Sequence, residues 1–199
     1  MREPPLDPTS DLRPTLVICA YDVDQTAWDP AEDLSGEPWH PAGARTVPVE
    51  ADAPEVLATR LSARLEDPRC RGLLLVGRTG DGDAFRVQVR ALNRTLDGTR
   101  RLHSVGPGVV RATAPGADMV QALNAAGLAA SVSSEAEDDA GSYLLYRILA
   151  DLPEGVDTPA IGLLRAPTDA GEATVRRAVK VAAQAVADHL APLPRSRAS

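Results

Sequence analysis

Hydrophobic and polar positions form two kinds of pattern along this chain: short apolar runs, and segments whose apolar residues have helical spacing. Residues 15–21 and 72–77 are continuous apolar runs, which are typical of strands buried on both faces. Residues 85–92 alternate apolar and polar side chains instead, which predicts a strand with one solvated face. Three further strands are predicted at residues 45–49, 129–133 and 159–165.

Four segments between these strands have the spacing of amphipathic helices. They cover residues 53–65, 117–126, 140–152 and 169–190. Asp52 and Glu55 stand three residues apart at the start of the first, as in a capping box, so we expect Asp52 to cap that helix. Gly127 follows the second, where a residue in the left-handed conformation ends many helices.

The alternation of strands and helices predicts an α/β fold of three layers. We expect a mixed, mostly parallel twisted sheet with helices on both faces and a ligand site beyond the carboxyl ends of its strands. The length suits a single domain, here residues 14–191, with disordered segments at 1–13 and 192–199. Residues 22–44 form a long loop rich in Pro, Asp and Gly, and loops of that length are usually functional or face a partner.

Composition narrows the class of function. The 199 residues carry a formal net charge of −7 and only 3% aromatic side chains. This balance argues against a nucleic-acid or anionic-membrane surface, and no apolar run approaches the roughly 18 residues of a membrane span. A cytoplasmic protein is the expectation.

The two cysteines do not suggest a disulfide framework or a metal site, and no metal or cofactor is predicted. Cys19 ends an apolar run and is expected to be a small buried hydrophobe in a strand. Cys70 lies between two arginines and is expected at the surface, between a helix and a strand.

Residues 126–133 (AGLAASVS) and 140–146 (AGSYLLY) together resemble the active-site region of the pyroglutamyl peptidases, cysteine peptidases that remove an N-terminal pyroglutamate. In that family the second segment reads A-G-x-Y-x-C-N on the first turn of a helix. Four more stretches match in the same order, at residues 16–31, 76–93, 110–127 and 162–167. The order and spacing of the five matches imply the pyrrolidone carboxyl peptidase-like fold over most of the chain.

The resemblance places other residue types at the positions of the family's Cys, His and Glu triad. These residues are Leu145, Arg165 and Gln88. Leucine cannot form a thiolate, arginine stays protonated at any working pH, and glutamine lacks the charge that orients a catalytic imidazole. Tyr21 and Asp24 take the places of the phenylalanines that shape the family's pocket. The sequence therefore predicts this fold without cysteine peptidase activity.

Two classes of function are compatible with these residues. In the first, the former active-site cleft binds a small anionic ligand or a peptide terminus, with Arg165 as its anchor. The residues predicted to contact this ligand are Tyr21, Gln88, Tyr143, Tyr146 and Arg165. A salt bridge between Arg165 and a structural acid is the alternative for that arginine.

In the second class, the protein is a repurposed enzyme of a biosynthetic pathway that catalyses a cyclisation or a hydrolysis in the same cleft. Glu135 and Asp139, at the ends of an acidic stretch, are its candidate acid and base, and Tyr143 and Tyr146 are its candidate proton carriers. A solvated acidic loop explains the carboxylates more simply. A genuine pyroglutamyl peptidase ranks third. The sequence leaves open whether the protein is a homo-oligomer.

Overall fold

A computed structural model describes residues 12–21, 39–80, 82–152 and 158–190, in which the chain forms eight strands and four helices. The strands are β1 (Thr15–Ala20), β2 (Arg45–Val49), β3 (Cys70–Thr79), β4 (Phe85–Gln88), β5 (Arg90–Leu92), β6 (Val109–Arg111), β7 (Ala130–Ser133) and β8 (Ala160–Pro167). The helices are α1 (Pro54–Leu65), α2 (Gly116–Ala125), α3 (Ala140–Ala150) and α4 (Glu172–Ala187). Most of the two predicted disordered segments, and Asp24 and Trp28 in the long loop, lie outside the described residues.

Six strands form one sheet in the order β2-β1-β3-β8-β4-β7. The first four are parallel, β4 runs antiparallel to β8, and β7 runs parallel to β4. In this register Val17 lies opposite Leu73, and Leu73 lies opposite Ile161. The predicted mixed, mostly parallel sheet is confirmed.

Helices cover both faces of the central strands, which explains their unbroken apolar runs. Leu16 and Ile18 pack in a core shared with α2 and α4. Val17 and Cys19, which alternate with them in sequence, pack in a second core shared with α1 and α3. Successive side chains of a strand point to opposite faces, so a strand between two helical layers needs apolar residues at every position.

The prediction of one strand over residues 85–92 is wrong, because the chain leaves the large sheet at Val89. The amide of Val89 donates to Ser133 of β7, whereas its carbonyl accepts from Ala112 beyond β6. β5 then pairs with β6, a strand that the sequence did not predict, in a separate two-stranded sheet. An alternation of apolar and polar residues indicates that one face of a strand is solvated, but it does not show which strand lies alongside.

The helix ends agree with the sequence at one position and disagree at another. Gly127 has φ of +76°, and the amide of Leu128 donates to the carbonyl of Leu123, which closes the end of α2 as predicted. Asp52 is not the cap of α1, because Ala53 occupies the N-cap position. The Asp52 carboxylate instead accepts from the amide of Ala53 and from Arg60.

Both cysteines are buried, so the surface position predicted for Cys70 is wrong. Cys70 opens β3 beside Thr15 of β1, and its side chain packs in the core shared by α1 and α3. Burial raises the pKa of the Cys19 thiol to about 12 and that of Cys70 to about 11.

None of the described helices is long and apolar enough to cross a membrane.

Candidate functional site

A buried polar cluster lies where the carboxyl ends of β1, β3 and β8 meet the first turn of α3. Its centre is the guanidinium of Arg165, which is only 1% exposed. Asp139 binds this group with both carboxylate oxygens, at 2.5 Å to Nη1 and 2.7 Å to Nη2. Nε donates to Oε1 of Gln88 at 2.8 Å, and Nη2 also donates to Oγ of Ser142 at 3.0 Å. All three guanidinium nitrogens thus donate hydrogen bonds within the protein.

The hydroxyl of Tyr21 and a backbone carbonyl complete the shell around Arg165. Nη1 donates to the hydroxyl of Tyr21 at 3.2 Å and to the carbonyl oxygen of Arg78 at 3.3 Å. Two glycines make room for the tyrosine ring. A Cβ added at Gly77 would lie 2.1 Å from Cζ of Tyr21, and one at Gly141 would lie 2.2 Å from its hydroxyl oxygen.

Three consecutive carboxylates after β7 contact side chains of other parts of the chain. Asp139 is the N-cap of α3 and accepts from the amide of Ser142 at 2.9 Å, in addition to binding Arg165. Glu137 accepts from the hydroxyl of Thr79 at 2.7 Å and lies 3.6 Å from Arg165. Asp138 pairs with Arg94 at 3.0 Å on the surface. Glu137 and Asp139 are therefore bound to the fold, whereas Asp138 and Glu135 are exposed to solvent.

The charges of Arg165 and Asp139 stabilise each other. Burial alone raises the pKa of Asp139. The hydrogen bonds and the positive charge of Arg165, together with the hydrogen bonds of Ser142, outweigh burial, so the pKa of Asp139 is lowered. Burial alone lowers the pKa of Arg165, and Asp139 with Tyr21 and Glu137 outweighs it and raises that pKa. Both groups are ionised at neutral pH, so neither is suited to exchange a proton with a substrate.

Four of the predicted site residues come together here: Tyr21, Gln88, Asp139 and Arg165. For Arg165, the geometry is the salt bridge that the sequence left open as the alternative to a ligand anchor. Its role in ligand binding stays a prediction, since its donors are already engaged.

The other predicted residues lie elsewhere. Tyr146 is buried and donates to the carbonyl of Pro107 at 2.8 Å. Tyr143 is buried near Arg147 and Glu55, and burial raises the pKa of its phenol. Glu135 is exposed, and its amide donates to Ser133.

Leu145 is fully buried in the core shared by α1 and α3, as expected for an apolar residue at that position. It lies one turn after Ser142, on the same side of α3. The crevice between residues 92–95 and 136–143, beside Asp139 and Ser142, has a volume of about 10 Å³, which is room for about one water molecule.

The three histidines of the chain make their contacts away from Arg165. His40 hydrogen-bonds Thr46 through Nδ1, the ring of His103 lies tilted against that of Tyr146 with centroids 5.8 Å apart, and His189 pairs with Asp118 at 2.9 Å. None of these contacts brings an imidazole to the buried cluster. Among the described residues, no group of three metal-ligating side chains is placed to hold a metal ion.

Sequence reasoning missed Ser142 and the carbonyl of Arg78. One signal was available: an aspartate directly before Ala-Gly-Ser at a predicted helix start is a typical N-cap, and it predicts the bond to the amide of Ser142. The link from Asp139 to Arg165 joins different elements and has no local signal.

The fold is that of known peptidase structures. The described architecture matches a pyrrolidone carboxyl peptidase from Thermus thermophilus with a TM-score of 0.62 and 19% identity, covering 85% of this chain and 98% of that one. It matches pyroglutamyl peptidase I from Bacillus amyloliquefaciens with a TM-score of 0.67 and 15% identity, covering 89% and 98%. A mutant pyrrolidone carboxyl peptidase from the hyperthermophile Pyrococcus furiosus matches with a TM-score of 0.64 and 18% identity, covering 89% and 99%. No protein-family model matches the sequence, and a search of curated proteins gives no match.

Proposed function

We propose that this protein has the pyrrolidone carboxyl peptidase fold without cysteine peptidase activity, and that an internal ion-pair cluster occupies the former catalytic centre. One observation carries the proposal. Arg165, at the position that resembles the family's histidine, is buried and bound by both oxygens of Asp139 and by Gln88. A cation held in this way cannot accept the proton of a nucleophile.

The nucleophile position supports the same conclusion, because Leu145 is a buried hydrocarbon. Neither cysteine is a substitute, since both thiols are buried and their raised pKa values keep them protonated at neutral pH. Ser142 accepts from Arg165 and contacts the amide of Gln88, and neither of these partners can take its proton. The carboxylate of Asp139 is also hydrogen-bonded to Ser142, but its lowered pKa and its pairing with Arg165 make it a weak base. The described residues around Arg165 therefore offer no activated nucleophile.

A fluorogenic pyroglutamyl-coumarin substrate tests the proposal. We expect no turnover from the wild-type protein, and none from Leu145→Cys, because a thiol without an imidazole base stays largely protonated. A pyrrolidone carboxyl peptidase assayed alongside is the positive control. Turnover by the wild-type protein that thiol alkylation abolishes would contradict the proposal.

Binding of a carboxylate ligand or peptide terminus is the second candidate function. The site can bind a ligand carboxylate only if that carboxylate replaces Asp139 on the guanidinium of Arg165. Asp139→Asn should then bind pyroglutamate, used as the probe, about tenfold more tightly than the wild type, since the competing charge is gone. Asp138→Asn removes a neighbouring charge that pairs with Arg94 and is the matched control.

Calorimetric titration distinguishes the outcomes. Tighter binding by Asp139→Asn, lost again in Asp139→Asn/Arg165→Gln, supports a carboxylate site at Arg165. If neither Asp139→Asn nor Asp138→Asn binds pyroglutamate, the carboxylate site is contradicted and the cluster has a structural role.

A repurposed enzyme is less well supported, because the lowered pKa of Asp139 and its pairing with Arg165 make the strongest acid-base candidate unsuitable. A cytoplasmic location remains part of the proposal.

A further inference from the structure

The most basic part of this acidic protein is the segment formed by β5, β6 and their connection. This basic arm, residues 90–111, contains five arginines and one aspartate, whereas the whole chain has a formal net charge of −7. The arginines are Arg90, Arg94, Arg100, Arg101 and Arg111. Positive charge is thus concentrated in one short stretch.

The strand register brings two of these arginines directly together. Arg90 lies opposite Arg111 in the antiparallel pair, and Ala91 lies opposite Val110. Ala91 is fully buried in the core beneath α3, so Arg90 and Arg111 lie on the other face of the pair. Like charges directly opposite each other destabilise a strand pair, so stability gives no reason for this arrangement.

The arm's charge is mostly uncompensated by the part of the chain that the structure describes. Arg94 pairs with Asp138, but among the described residues no carboxylate lies within the 4.0 Å ion-pair distance of Arg90, Arg100, Arg101 or Arg111. Arg101 lies beside Gly108, just before β6, where a Cβ would be 3.8 Å from its Nη2. These guanidinium groups are therefore available to a partner.

Apolar side chains are exposed on the same arm. Val105 is 90% exposed and Val109 is 48% exposed. Val109 lies opposite Leu92 in the register, on the same face as Arg90 and Arg111. The surface therefore combines positive charge with apolar contact area.

We propose that the basic arm is an interaction surface for an acidic peptide segment that also carries aliphatic side chains. Its carboxylates would pair with the guanidinium groups of Arg90, Arg101 and Arg111, and its aliphatic groups would cover Val105 and Val109. A nucleic acid fits less well, because it would leave the valines solvated and find no exposed aromatic ring on the arm to stack on.

Fluorescence anisotropy with a labelled synthetic peptide of alternating glutamate and leucine tests the proposal on the full chain. We expect saturable binding that weakens as ionic strength rises, because exposed charge pairs are screened by salt. Arg90→Gln/Arg111→Gln should raise the Kd about five- to tenfold, as expected for two exposed pairs. The control Arg60→Gln/Arg64→Gln makes the same charge change on α1 and should leave the Kd within about twofold.

Val105→Ser separates a peptide surface from a purely electrostatic one. It should weaken peptide binding about two- to threefold without changing the charge. An equal Kd for the arm variant and the α1 control overturns the proposal. Tighter binding of a single-stranded RNA than of the peptide, or a dimer of this chain that Arg90→Gln/Arg111→Gln dissociates, assigns the arm to another partner and also overturns it.

Discussion

At the residue scale, the central feature is how completely the protein satisfies one buried cation. Arg165 would be costly to bury alone, and the fold compensates with a bidentate carboxylate, an amide, two hydroxyls and a carbonyl. Asp139 serves two elements at once, because it caps α3 and neutralises a side chain of β8. Removing either member therefore leaves an uncompensated charge.

We expect Arg165→Ala to lower the free energy of unfolding by about 3–5 kcal/mol, the usual cost of removing one partner of a buried pair. The matched control is Arg94→Ala, which breaks the exposed pair with Asp138 and should cost less than about 1 kcal/mol. Urea denaturation of the three proteins measures both values. Equal stability of the two variants would show that the buried pair contributes no more to the fold than the exposed pair does.

The pair also predicts a pH dependence of stability. The pKa of Asp139 is lower in the folded protein than its ordinary value of 3.8, so the carboxylate stabilises the fold above about pH 4. This contribution is lost as the pH falls through the lowered pKa. Free energies of unfolding measured between about pH 6 and pH 2 should decline less steeply in Asp139→Asn than in the wild type.

Asparagine is the right replacement for that comparison because it keeps the N-cap hydrogen bond to Ser142 and removes only the charge. Asp97, whose pKa of about 2 results from hydrogen bonds with Thr95 and Thr99, titrates in both proteins and cancels in the difference. Identical pH profiles would mean that Asp139 and Arg165 are not coupled in solution.

At the scale of elements, two glycines decide how closely β1, β3 and α3 approach one another. Gly77 of β3 and Gly141 of α3 leave the space that the ring of Tyr21 occupies beyond the end of β1. The hydroxyl of Tyr21 then reaches Arg165. The glycines are therefore part of the polar cluster although they contribute no side chain to it.

We expect Gly77→Ala to destabilise the protein by about 1–3 kcal/mol, because the new methyl group would overlap the ring of Tyr21. Gly80→Ala, just after β3, is the matched control, since a Cβ there meets nothing within 4 Å. The midpoints of urea unfolding of both variants check this. A Gly77→Ala protein as stable as Gly80→Ala would show that Tyr21 moves away at little cost.

At the scale of the whole molecule, this chain shares its three-layer architecture with peptidase structures of low sequence identity. Its fold matches those structures with TM-scores of 0.62 and 0.67 at 19% and 15% identity. The layers are held by apolar contacts that many sequences can supply, whereas an active site needs particular groups at particular atoms. Architecture can therefore persist while the site changes.

The two helical layers also predict the behaviour of the cysteines. Both thiols should react with a thiol-specific disulfide reagent only when the molecule unfolds, because they are buried and their pKa values are raised to about 12 and about 11. Val105→Cys, at a position that is 90% exposed, is the control and should add one fast-reacting thiol. A native thiol that reacts as fast as this engineered one would show that a layer opens readily.

The sequence by itself determined the four helices, most of the strands and their layering. Unbroken apolar runs identified β1 and β3, helical spacing identified the four helices, and Gly127 marked the end of α2. These features are local, because the spacing of apolar residues along a segment shows how many faces of that segment are buried.

Only the tertiary structure decided which distant side chains meet. Asp139 and Arg165 are 26 residues apart and belong to different elements, and nothing in either neighbourhood selects the pair over a ligand. The split of residues 85–92 and the burial of Cys70 likewise depend on which strand lies alongside. Periodicity records burial and direction within one element, whereas pairing across elements depends on where the chain brings their ends together.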